Sequence, residues 1–194
     1  MAAMLSLIAF LSGAAALLFE SLWLRQAGLM LGSSVWASSI VLAGFMTGLG
    51  LGNLLAVRWA GRLARPLRCY AWLEIVVGVT AAAVVLATPA MLPLLAPIFR
   101  GLGDAPGATN LVRLAVAFAL MLLPTTAMGL GLPVLTRAIS RGPQDFGRVL
   151  GHLYGWNTLG GVLGAVAGEL GLIAAFGVRG AACAAASLNL LAAA

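Results

Sequence analysis

IVLAGFMTGLGLGNLLAVRWAGRLARPLR, residues 40–68, carries no charge from Ile40 to Val57 and then places Arg58, Arg62, Arg65 and Arg68 in quick succession. An uncharged run that begins at Val35 and reaches Val57 is long enough to cross a bilayer core of about 30 Å as a helix. Arginines crowded at one end of such a run mark the side on which it is retained. The stretch reads as a transmembrane helix followed by a cytoplasmic loop.

The rest of the chain repeats the pattern. Of the 194 residues, 62% are hydrophobic and 8% charged, whereas soluble domains carry about 25% charged residues. The sequence predicts an all-α, polytopic membrane domain covering residues 1–194, with six spans at about 4–28, 35–57, 69–88, 111–136, 149–175 and 180–194. The first span lacks a basic start and runs past the length of a signal peptide's apolar core. Pro89, Pro93 and Pro97 predict a broken or interfacial segment between the third and fourth spans. The final apolar run ends without a charged flank, which points to a natural chain that continues beyond it.

The net charge of +6 comes from arginine alone, since the chain has no lysine. Arg58, Arg62, Arg65, Arg68, Arg137, Arg141 and Arg148 fall in two loops on one side of the predicted bundle. By the positive-inside rule both termini then face the cytoplasm. These arginines read as topology signals and not as a phosphate-binding surface, so no nucleic-acid partner is expected.

Glycines form two rows. Gly44, Gly48 and Gly52 lie on one face of the second span, and Gly160, Gly164 and Gly168 repeat the spacing in the fifth. Rows of this kind let helix backbones approach closely in lipid. Packing inside one bundle is the first reading of both rows, and an oligomer interface is the second. The second and fifth spans hold equivalent places in successive triplets but cross in opposite directions, as an inverted 3+3 repeat would require, like one half of a major-facilitator transporter.

Three carboxylates fall inside spans: Glu20, Glu74 and Glu169. A charge at mid-membrane costs at least about 2.5–3.5 kcal/mol, so each is a candidate binding residue for a cationic substrate or a proton. The rival reading is structural hydrogen bonding across helices. Arg25 follows Glu20 by five residues, a turn of about 140° around a helix, so it is not a same-face partner. His152 is the only histidine, and Cys69 and Cys183 have no metal or redox spacing, so no metal or cofactor is expected. No nucleophile–histidine–acid set or phosphate loop is present, which leaves no catalytic residue to name.

Taken in order, FLSGAAALLFESLWLRQAG, GLGLGNLLAVRWAGRLARPLRCYAWLE, LLPTTAMGLGLPVLTRAI and GHLYGWNTLGGVLGAVAG resemble the membrane region of bacterial polyamine aminopropyltransferases, the spermidine synthase-like membrane proteins. The resemblance implies a multi-helix module related to the major facilitators, which commonly precedes a cytoplasmic domain that transfers aminopropyl groups. That catalytic domain has no counterpart in this sequence. Glu20 and Glu74 match places where the family tends to have Glu. Glu169 departs from the pattern, and Gly61 stands where an Asp often precedes the arginine. The expectation is therefore a non-catalytic membrane module that anchors or serves polyamine synthesis or transport. The alternatives are a homodimeric half-transporter for a cationic substrate and a structural subunit of a larger membrane complex.

Overall fold

The structure is a computed structural model, and it describes residues 2–31, 35–102, 106–140 and 142–194. Arg141, Asp104 and residues 32–34 lie outside the described residues. All regular structure among the described residues is helical: α1 (Ala2–Leu31), α2 (Val35–Trp59), α3 (Pro66–Gly101), α4 (Pro106–Ile139), α5 (Pro143–Ala167) and α6 (Ile173–Ala193). A short 3-10 turn, Ala60–Arg62, follows α2, and a π-helical turn, Gly168–Leu172, joins α5 to α6. Among the described residues, five stretches are long and apolar enough to cross a membrane. The last, Gln144–Ala193, is broken at Gly177, whose φ of +66° is outside the helical range. Only glycine adopts that conformation without strain.

Side-chain pairings give the direction of each leg. Ser6 meets His152, and Asn157 reaches the Ala9 carbonyl, so α1 and α5 run parallel. Ser12 meets Glu74 and Gln26 meets Val85, so α1 and α3 are also parallel. Gly48 faces Thr125 and Gly52 faces Thr126, which makes α2 and α4 a second parallel pair. Glu74 pairs with Asn189, while Leu22 and Ala181 share one core cluster; the last leg, after Gly177, therefore returns antiparallel to α1 and α3. The bundle thus has six legs. The links at 60–65 and 140–142 sit at the same end as the chain termini, and Arg58, Arg62, Arg65, Arg68, Arg137 and Arg148 are all exposed there.

The two glycine rows face inward. A Cβ on Gly160 would strike the Phe10 backbone, one on Gly164 the Ala14 backbone, and one on Gly168 the Leu18 side chain. In α2, Gly52 and Gly129 of α4 pack backbone to backbone, with Gly48 against Thr125. Lipid tails are as apolar as leucine, so this close approach, and not water exclusion, holds the two parallel pairs together. Between the pairs, Phe19 stacks on Trp23 at 6.0 Å, and Trp23 meets the edge of Phe45 at 6.3 Å. Aromatic pairs of this kind contribute about 0.5–1.5 kcal/mol each beyond their burial.

The segment expected to break at residues 89–110 is instead helical through Gly101 and again from Pro106, although the stretch of α3 apolar enough to cross a membrane ends at Met91. Pro89, Pro93 and Pro97 recur every fourth residue, so their rings share one exposed face. Each ring removes the bond to the carbonyl four residues earlier, which neighbouring helices can replace in a membrane protein. For Pro89 the freed carbonyl is that of Val85, and Gln26 Nε2 donates to it at 2.7 Å.

Candidate functional site

The three intramembrane carboxylates have three different surroundings. Glu74 of α3 is 3% exposed. Ser12 Oγ donates to its Oε1 at 2.7 Å, and Asn189 Nδ2 donates to its Oε2 at 2.6 Å. The Tyr70 hydroxyl sits against Glu74 and Ser12 without closing a hydrogen bond to either, and Asn189 Oδ1 is also unpartnered. From α4, Gly131 lies against Tyr70 and Glu74, and Val134 and Leu135 share an apolar cluster with Tyr70. A carboxyl held by donors from two other helices fixes the register of α1, α3 and α6.

Glu169 lies in the π-helical turn, a widened turn that re-aims its side chain. Its Oε2 is 3.7 Å from Arg25 Nη1, with both side chains about half exposed. The arginine that does not serve Glu20 along α1 thus reaches α5's extension instead. At this length and exposure the pair contributes about 0–1 kcal/mol.

Glu20 has no hydrogen bond or ion pair among the described residues. Its side chain lines a cavity of about 800 Å³ enclosed by α1, α2, α4 and α5. The polar groups around it are Ser12, Asn53, Tyr154, Asn157 and Thr158. Asn157 and Asn53 use their amide N–H groups on the Ala9 and Leu49 carbonyls, which leaves their Oδ1 atoms as acceptors. A cavity with one unpaired carboxylate and several neutral oxygens, and no basic side chain in its lining, suits a positively charged guest.

Ser12 belongs to both places, since it lines the cavity and donates to Glu74. Ser12, Tyr70 and Asn189 carry no signal in the sequence beyond being polar residues in apolar spans, and only Asn189 stands out on that ground. The glycine rows lie between helices, and no row member lines the cavity; the glycines in its wall are Gly13, Gly129, Gly147, Gly151 and Gly161. No group of three or more His, Cys, Asp or Glu residues is placed to hold a metal among the described residues.

Set against protein-family models, curated proteins and solved structures, the chain matches none of them.

Proposed function

We propose that this chain is a non-catalytic membrane module that takes an organic cation of the polyamine class into the cavity beside Glu20. The carrying observation is that Glu20, alone of the three intramembrane carboxylates, faces a large cavity and has no protein partner among the described residues. An ionised carboxylate in that position is stable only with a counter-cation, water or a proton. The polyamine class and the placement in a bacterial inner membrane rest on the resemblance to the spermidine synthase-like membrane proteins, and the cytoplasmic termini rest on the arginine bias of the loops.

The half-facilitator reading belongs to the same proposal. If helices 1–3 and 4–6 form an inverted repeat, the relation exchanges α1 with α4 and α2 with α5. The parallel α1–α5 pair then exchanges with the parallel α4–α2 pair, and these are the two glycine-sealed interfaces. The cavity between the two pairs lies where such a repeat would put its binding site.

The test is equilibrium binding of radiolabelled spermidine to the purified protein in mild detergent. Wild type should bind, Glu20→Gln should bind at least tenfold more weakly, and Glu169→Gln should bind as wild type does. Absence of wild-type binding, or full binding by Glu20→Gln, would overturn the reading.

One observation favours a second copy around the cavity. Asn53, Tyr154 and Thr158 line it yet are exposed, as are the neighbouring Met46 and Val162. Polar groups open to acyl chains are costly, and a second chain closing the mouth would shield them. Light scattering with the detergent contribution subtracted should then give a protein mass twice 19.7 kDa; a monomer that still binds spermidine would remove the dimer and leave the cation site standing.

A further inference from the structure

A second cavity lies at the other end of the bundle, next to the proline-rich half of α3. It is lined by Trp23 and Gln26 of α1, Thr88 and Phe99 of α3, and Arg113 and Met121 of α4, among other residues. Its space is about 80 Å³ on the measure that gives about 800 Å³ for the first cavity, and about 630 Å³ once the groove that opens from it is included, so a long guest would lie mostly in that groove. Five buried side-chain atoms among the described residues lack a hydrogen-bond partner, and three of them are in this wall: Trp23 Nε1, Gln26 Oε1 and Arg113 Nε. Trp23 is 3% and Gln26 7% exposed.

This convergence is unusual because buried polar groups are nearly always satisfied. Each side chain is also held in place by a separate contact. Gln26 is fixed by the hydrogen bond that its Nε2 donates to the Val85 carbonyl, which Pro89 leaves free. Trp23 is fixed by stacking on Phe19. Arg113 lies over the Phe99 ring at 5.5 Å from its centroid. The three unpartnered atoms are therefore pre-positioned, as in a binding site whose occupant completes them.

The chemistry of the wall selects the occupant. Its unpartnered atoms are two N–H donors, one of them on a guanidinium, and a single acceptor. No carboxylate lines the cavity, and Arg113 has no ion pair among the described residues. The remaining lining is almost wholly alkyl and aromatic. We propose that this cavity binds an anionic amphiphile, with a phosphate or carboxylate head on Arg113 and Trp23 and an alkyl chain along Leu95, Val116 and Leu120. A ligand hydroxyl beside the head, or one protonated head oxygen, would donate to Gln26 Oε1.

The site is independent of Glu20, and its ligand has the opposite charge, so the spermidine measurement and this one fail separately. The probes are hexadecyl phosphate, palmitate and the uncharged hexadecanol, each added to the purified protein and read as one-to-one adducts by native mass spectrometry. Wild type should retain the phosphate and the carboxylate at least tenfold better than hexadecanol. Arg113→Gln should abolish that preference. Trp23→Phe keeps the ring and removes the N–H, so it should weaken both anionic adducts several-fold and guards against a folding defect in the arginine variant. Equal retention of all three probes by wild type, or unchanged anionic binding in both variants, would overturn the proposal. Extraction of the protein straight from cell membranes separates the natural sources. About one phosphate lipid per chain or one fatty acid per chain, lost in Arg113→Gln, supports it, and recovery of neither means that water alone fills the cavity.

Discussion

The Glu74 cluster makes a quantitative prediction about how α3 and α6 hold together. Glu74→Met keeps the length and apolar bulk of the side chain but removes both acceptors. Ser12 can turn its hydroxyl back to the carbonyl four residues earlier, as Thr80 and Thr88 already do. Asn189 cannot recover in this way. It is 1% exposed, its Oδ1 is already unpartnered, and loss of Glu74 would leave its Nδ2 unpaired as well. A buried polar group left without a partner costs about 1–3 kcal/mol, so Glu74→Met should destabilise by that amount. Asn189→Leu, close in shape, strands Glu74 Oε2 and should cost about the same. The double variant removes both halves of the pair and should lose less than the sum, by about 1–2 kcal/mol. Glu74→Gln should be nearly neutral, because its amide can accept from Asn189 Nδ2 or donate to the vacant Oδ1. Reversible unfolding in mixed micelles, followed by circular dichroism, measures all four. Strictly additive losses, or a Glu74→Met variant as stable as wild type, would show that the 2.6 Å contact does not couple the helices.

Further substitutions test the backbone. Gly164→Ala places a Cβ against the Ala14 backbone, which cannot rotate away, and should cost up to about 3 kcal/mol; Gly155→Ala, with nothing near its Cβ, should be neutral or slightly stabilising when thermal midpoints are compared. Gly177→Ala forces a side chain into a φ of +66° and should lose about 1–3 kcal/mol in the same assay. Gln26→Leu strands the Val85 carbonyl and should cost about 1–3 kcal/mol, but clearly less in a Pro89→Ala background, where a restored N–H at residue 89 satisfies that carbonyl. Equal losses in the two backgrounds would refute the link between the proline and the glutamine.

The helices were legible because a membrane imposes a simple rule: uncharged runs of sufficient length must be helical. The same rule explains the misreading at residues 89–110. Proline ends helices in water, where the freed carbonyl turns to solvent, but in a bundle Gln26 can take its place, and that glutamine is 59 positions away from Val85. The site partners were hidden for a related reason. Ser12 and Asn189 lie 62 and 115 positions from Glu74, and no periodicity within one span reveals which other helix it faces. Arg113 reads as one more flanking arginine until α3 is known to extend far enough to put Phe99 beneath it.

The carboxylates show what only the assembled bundle could decide. In sequence Glu20, Glu74 and Glu169 are equivalent, each a lone acid in an apolar run. Assembly uses up two of them. Glu74 is engaged by Ser12 and Asn189, and Glu169 takes the arginine that follows Glu20 in the chain. Glu20 is left facing open space, with neutral acceptors around it and no donor assigned to it. An arginine at the position of Thr158 or Asn53 would have satisfied it as a structural pair. Neutral, oxygen-bearing side chains there do the opposite: they leave the carboxylate's charge unbalanced and add acceptors beside it, an arrangement that favours a mobile cation over a fixed one.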